Sequence, residues 1–275
     1  VQINQFITQN CSIMKINYIR EIIASLLFLS FFVPANAQVT YIAHRGASFL
    51  APENTVSSAK LAWELGVDAV EADIYLSKDN KIMVIHDSNT KRTTGQDFKV
   101  KETNSETLRK LDAGSIKDEK YKGEKIPFLS EIIKTVPPGK KLVIELKSRN
   151  DVFPELKKAV RKCRKQMILI SFDKPTIISA KQLFPEIPCY WLCGNKEALM
   201  SNIKSIADAG LEGVDVDYSI VDEKMMEMTK KLKLDVVVYT LDDPVVAKRL
   251  IGYGVKGITS NRADWIKKQV NSSSE

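Results

Sequence analysis

The chain is poor in the residues that most often advertise metal or redox chemistry, with four cysteines and two histidines among 275 residues. No CxxC pair and no histidine-rich tract occurs, which argues against a zinc site built from thiolate and imidazole. No basic run is interleaved with aromatics, so the pattern that follows a nucleic-acid backbone is missing and nucleic acid is not an expected partner. Lys and Arg outnumber Asp and Glu by only 41 to 34. A net charge of +7 spread this thinly supplies weak background steering toward an anionic substrate and nothing more. The apolar stretch Ile22 to Val33 is about a dozen residues long, short of the roughly 20 that cross a bilayer. No stable membrane span is expected.

That stretch has instead the surroundings of a targeting segment. Met14, Lys15 and Arg20 lead into it, and Ala35-Asn36-Ala37 follows as a small-x-small cleavage site. Residues 1–37 are read as an upstream extension and a cleaved signal peptide covering about 14–37, with the mature chain starting near Gln38 in a periplasmic or extracellular compartment. Without them the balance is 39 to 33, a net charge of +6. Cys11 leaves with the leader. An oxidising compartment admits one disulfide among Cys163, Cys189 and Cys193, but buried reduced thiols are the plainer expectation.

What is present is a regular alternation. Strand signals fall at Val39–Ala43, Ala69–Leu76, Lys141–Leu146, Met167–Phe172, Pro188–Leu192, Gly213–Asp217, Asp235–Thr240 and Gly257–Ser260. Helical patterns separate them at Val56–Leu65, Val152–Lys165, Pro175–Phe184, Glu197–Ala209, Glu223–Lys233 and Pro244–Tyr253, the first capped by Asn54 or Thr55. Eight strands, several of them continuous apolar runs such as Val236–Val238, predict an α/β fold of the closed (β/α)8 TIM-barrel type over residues 38–270 with a tail at 271–275. The competing open doubly wound sheet lacks its glycine-rich phosphate loop after the first strand. Residues of about 91–125 are polar, with a short helix signal at Ser105–Leu111, and read as a small insertion after the hairpin of the second strand.

That hairpin, Ala69 to Asp87, organises the chemistry. Side chains alternate faces along a strand, so Glu71 and Asp73 point the same way. A turn centred on Asp79-Asn80 sets His86 across from Asp73, where opposed β-carbons stand about 4.5 to 5.5 Å apart. Catalytic residues of such barrels sit at the carboxyl ends of strands. This rule selects His44, Arg45, Glu71, Asp73, Glu145 and Lys147, and further round the ring Ser171, Asp215, Asp217 and Tyr239. Asp215 and Asp217 could meet substrate hydroxyls, with capping of the barrel the favoured role. Three acids in one cleft repel one another unless a cation intervenes, and carboxylate oxygens suit hard Mg²⁺ or Ca²⁺. A divalent metal beside Arg45 and Lys147 makes a seat for a phosphate, with His44 and His86 as acid and base. These parts point to phosphodiester cleavage.

The motifs resemble those of the glycerophosphodiester phosphodiesterase family: His44-Arg45-Gly46, Pro52-Glu53-Asn54-Thr55, Glu71-x-Asp73, Val84 to Asp87, Arg92 to Gly95, Leu111 to Gly114, Gly123 to Pro127, Ile144 to Lys147, Tyr239 to Asp243 and the closing Gly254 to Asn261. The resemblance implies a barrel with its metal on Glu71, Asp73 and Glu145, catalysis by His44 and His86, and phosphate on Arg45 and Lys147. It also implies release of sn-glycerol 3-phosphate and an alcohol from a small-molecule glycerophosphodiester. Tyr239 stands where many members carry Trp against the glycerol, Asp79-Asn80 replaces Asp-Gly, and Ser260-Asn261-Arg262 replaces a Thr-Asp pair. Oligomeric state has no signature here. The readings set beside hydrolysis are a lyase forming a cyclic phosphate and a silent binder of phospho-headgroups.

Overall fold

The structure is a computed structural model that describes residues 39–272. The expected leader, residues 1–37, and residues 273–275 of the tail lie outside the described residues. Strands β1 (Thr40–Ala43), β2 (Ala69–Leu76), β3 (Ile82–Val84), β4 (Lys141–Leu146), β5 (Met167–Ser171), β6 (Cys189–Cys193), β7 (Gly213–Asp217), β8 (Asp235–Tyr239) and β9 (Gly257–Ser260) form one sheet. All pair in parallel except β3, which folds back antiparallel on β2. The ring closes because β1 pairs with β9 along one side and with β2 along the other. The expected eight-stranded barrel is therefore present, with β3 as an outlying arm.

Both faces of these strands are buried, which is why their sequences run apolar instead of alternating. Ile42, Ala69, Val143, Ile170 and Leu192 fill the interior, while Leu142, Ile144, Val214 and Val236 turn outward against the helices. Each fully buried Leu, Ile or Val contributes about 1.5–3 kcal/mol.

The helices are α1 (Val56–Glu64), α2 (Lys91–Thr94), α3 (Ser105–Leu108), α4 (Leu129–Ile133), α5 (Phe153–Ala159), α6 (Lys174–Leu183), α7 (Lys196–Asp208), α8 (Glu223–Lys231), α9 (Pro244–Tyr253) and α10 (Ala263–Asn271). Their starts are set by side-chain caps on the loops that follow the strands. Thr55, Asp173, Asn195, Asp222 and Asp243 each accept a first-turn backbone N–H. Thr55, not Asn54, caps α1.

Expectations for one helix and for the hairpin turn are corrected. The helix expected at Val152–Lys165 shrinks to α5, flanked by single 3₁₀ turns. Continuing it would stack Lys157 on Arg161, Lys158 on Lys162 and Arg161 on Lys165, three like-charge pairs at i,i+4. The hairpin turn is longer by one residue: Ile74 pairs with Val84 and Leu76 with Ile82, so the loop is Lys78 to Asn80 with Asn80 left-handed (φ 55°). Asp73 thus lies beside Ile85, whose N–H donates to the Asp73 carbonyl at 3.0 Å, and not across from His86. A slip of one residue normally sends a side chain to the opposite face. His86 escapes this because the strand has ended at Val84.

The insertion packs a small core of its own, Val100, Leu108, Leu111, Ala113 and Ile126 against Met83 and Ile85 of the hairpin arm. The helix expected at Ser105–Leu111 ends at Leu108. Cys163, Cys189 and Cys193 are free thiols, the last two buried. No helix among the described residues is long and apolar enough to cross a membrane.

Candidate active site

Parallel pairing of β2 with β4 sets Asp73 beside Glu145, and the two-residue period adds Glu71 to the same interior face. One carboxylate oxygen from each of Glu71, Asp73 and Glu145 lies within 4.8 Å of the others. The three residues are 3%, 1% and 8% exposed, so water does little to screen them. Burial, then the charges of Asp73 and Glu145, pushes the Glu71 carboxyl well above its usual range. Burial and Asp73 push Glu145 up to about 7. Asp73 is lowered although burial opposes ionisation, because Lys147, Arg45 and His86 all favour its negative charge. Glu71 Oε1 is buried and accepts no hydrogen bond, and buried Asp73 Oδ1 has only the Lys147 ammonium, at 3.2 Å. Buried acids that repel one another and leave an oxygen unbonded are the donor set a hard divalent cation fits.

Two cations stand at the edge of this group. Lys147, carried two residues past Glu145, puts Nζ 2.7 Å from Glu145 and 3.2 Å from Asp73. Burial works against its charge, yet Asp73 and Glu145 outweigh it and the amine is held above its ordinary value. Arg45 is left-handed (φ 56°) in a sharp turn after β1. Its N–H donates to Glu71 at 2.9 Å, Nη1 donates to Glu53 at 2.9 Å, and Nε lies 3.4 Å from Asp73.

His44, Arg45, Glu71, His86, Glu145 and Tyr239 line one cavity of about 180 Å³. Both imidazoles therefore face the acids, as the sequence implies. His44 Nδ1 donates to Asn261 Oδ1 at 2.8 Å, since a carbonyl oxygen can only accept, and this leaves Nε2 as the working nitrogen. Burial and then Arg45 lower the His44 pKa. His86 Nδ1 donates to Asp87 at 2.7 Å. Phe172 and Tyr239 meet edge to face across the mouth, ring centres 5.7 Å apart. Of the other rim residues considered, Ser171 donates to the Leu146 carbonyl and Asp217 caps the turn at Ser219, both structural. Asp215 does not cap the barrel: it is 2% exposed and lines the cavity.

The family model for the glycerophosphoryl diester phosphodiesterase family matches residues 44–265. The chain belongs to that family. It is 33% identical over 229 residues to the glycerophosphodiester phosphodiesterase of Caldanaerobacter subterraneus subsp. tengcongensis, covering 80% of this chain and 93% of that one. The Bacillus subtilis glycerophosphodiester phosphodiesterase is 30% identical over 258 residues, 84% of this chain and 86% of its own. Among solved structures, an Oleispira antarctica phosphodiesterase in complex with the product sn-glycerol-3-phosphate superposes with a TM-score of 0.79 at 29% identity, covering 84% of this chain and 96% of that one.

Around this glycerophosphodiester phosphodiesterase site stand supports that residue-by-residue reading missed. Asn54 donates to Asp73 Oδ2 at 2.8 Å and accepts the Asp73 N–H at 3.1 Å. Asp242 grips the Asn261 amide at 2.7 Å and its backbone N–H at 2.9 Å, fixing the partner of His44. Arg92 of the insertion spans Glu53 and Asp87, the partners of Arg45 and His86. Motif positions Glu53 and Arg92 were visible in the sequence as matches without roles, and Asn54 as a match whose expected role was a helix cap. Asn261 appeared only as a departure from the family pattern.

Proposed function

We propose that the chain hydrolyses glycerophosphodiesters to sn-glycerol 3-phosphate and an alcohol, with Glu71, Asp73 and Glu145 holding a divalent cation, Mg²⁺ or Ca²⁺. The observation that carries this reading is a cluster of three buried, mutually repelling carboxylates, two of which, Glu71 and Glu145, line one cavity with two imidazoles. The product bound in the Oleispira antarctica relative supports the substrate class. When bound, the cation polarises a phosphoryl oxygen and offsets charge that develops in the transition state.

The chain's own residues do the rest. Arg45 and Lys147 bind the phosphate oxygens and orient the diester for in-line attack. Burial and Arg45 keep His44 neutral, so Nε2 takes a proton from the attacking water as its oxygen bonds to phosphorus. His86, held through Nδ1 by the Asp87 carboxylate, delivers a proton from Nε2 to the departing alkoxide as the P–O bond breaks. Tyr239 and Phe172 wall the glycerol side.

Incubation with glycerophosphocholine, followed by phosphorus NMR and choline release, tests the reading. Glycerol 3-phosphate and choline are expected, lost with EDTA and restored by Mg²⁺ or Ca²⁺. Activity indifferent to EDTA removes the cation, and a persistent cyclic phosphate replaces water attack by attack of a substrate hydroxyl. Export from the cytoplasm is proposed from the Met14 to Ala37 pattern alone. Amino-terminal sequencing of protein recovered outside the cytoplasm, expected to begin near Gln38, checks it.

A further inference from the structure

Asp215 is the one acid of the cavity that the proposed chemistry leaves without a task. It sits in the middle of β7, level with Leu192 on β6 and Val237 on β8, and one barrel layer below the pair Asp217 and Tyr239. That places it at the floor of the cavity, beneath the phosphate-binding rim. It is 2% exposed and its Oδ1 accepts no hydrogen bond. It also stands outside the trio of carboxylates that converge for a cation. A buried polar atom without a partner costs stability, and such costs persist where a ligand supplies the missing bond.

We infer that Asp215 is a specificity-determining residue that hydrogen-bonds a hydroxyl of the substrate's glycerol moiety at the cavity floor. This rests on the phosphodiesterase reading above and deepens it. Arg45, Lys147 and the acidic trio fix the phosphate at the rim, and the single cavity of about 180 Å³ that joins Arg45 and Glu71 to Asp215 leaves room for a three-carbon polyol. Ile170 and Leu192 offer apolar wall to the carbon chain, and of the polar lining residues Tyr239, Thr240, Thr259 and Asp215 only Asp215 has a buried oxygen without a partner, so the hydroxyl end finds its bond there. As a carboxylate it accepts from the hydroxyl, and as a neutral acid it also donates. Either state completes the bond.

The test compares cleavage of glycerophosphocholine with its two deoxy analogues, in which propane-1,2-diol or propane-1,3-diol replaces glycerol. Wild-type protein is expected to favour glycerophosphocholine over at least one analogue by about 100-fold in kcat/KM, the scale of one buried hydrogen bond left unmade. Asp215→Ala should lose about the same factor on glycerophosphocholine and cleave that analogue no more slowly than its parent. Asp215→Asn, which keeps shape and hydrogen-bonding capacity, should retain the preference, melt at or above wild type and bind Mg²⁺ with unchanged affinity by calorimetry. Discrimination that survives Asp215→Ala overturns the inference, as does a tenfold loss of Mg²⁺ affinity in Asp215→Asn. Wild-type protein inert toward glycerophosphocholine and both analogues would instead refute the phosphodiesterase reading itself.

Discussion

Asn54 shows how a single residue fixes the site: its left-handed backbone (φ 57°) lets one amide bond Asp73 from both ends. Asn54→Ala is expected to cost about 2–3 kcal/mol in urea unfolding, from two lost bonds and a strained φ. Calorimetry should show cation affinity down about 10–100-fold. Asn54→Gly, relieved of strain but still without the two bonds, should recover only part of the stability and none of the affinity. The histidine roles are separable by leaving group. His86→Ala should slow release of choline by about 10²–10⁴-fold, yet slow release of p-nitrophenol from glycerol p-nitrophenyl phosphate less than about tenfold, because that stabilised phenolate leaves without a proton. His44→Ala should slow both equally, and a reversed pattern would exchange the roles. The pH profile follows from the direction of the His44 shift. With its pKa lowered, the neutral base persists to more acid pH, so the acid limb of kcat/KM governed by His44 falls below its ordinary value of 6.5.

At the scale of elements, the turn after β1 is the tightest joint. Gly46 is left-handed (φ 80°), and a β-carbon there would lie 2.1 Å from Ser58 Oγ and 2.7 Å from the Ser58 backbone carbon of α1. Ser58 Oγ in turn donates to the Arg45 carbonyl at 2.8 Å. Gly46→Ala must move α1 or the turn, and either shift displaces His44 and Arg45. A loss of at least about 2 kcal/mol and a fall in kcat of about 100-fold are expected by thermal melts and steady-state kinetics. The hairpin marks where local reading stopped. Its strands and turn were legible from alternation and from Asp79-Asn80, but the register was not, because a two-residue and a three-residue loop both accept left-handed Asn80. The bond from the Ile85 N–H to Asp73 belongs to the three-residue register.

Over the whole molecule, the buried acids of the cavity set a trade between stability and function. Glu145 and Asp215 are raised to about 7 and about 8, both chiefly by burial, and Glu71 is raised as well. A carboxyl whose folded pKa exceeds its unfolded one binds more protons when folded, so it destabilises the fold progressively as pH climbs from its unfolded value to its folded one. Metal-free protein should therefore melt lower as pH rises from about 5 to 8. The depressed acids Asp79 and Asp87, at about 2, act only on the more acidic side. Mg²⁺ or Ca²⁺ at about 100 times its Kd should return about 2.7 kcal/mol, about 5–10 °C, and release protons on binding near pH 6. A melt independent of both pH and cation would refute the cluster's role. The sequence by itself determined the order of eight strands, the shared face of Glu71 and Asp73, and a cap for α1 at Asn54 or Thr55. Each of these depends on residues a few positions apart, where alternation and capping operate. Only the closed barrel decided that Asn261 orients His44 from 217 residues away, that Arg92 braces Glu53 and Asp87, and that Asp215 is left without a partner. Those contacts join segments whose approach follows from the curvature and stagger of the ring, which no local pattern encodes.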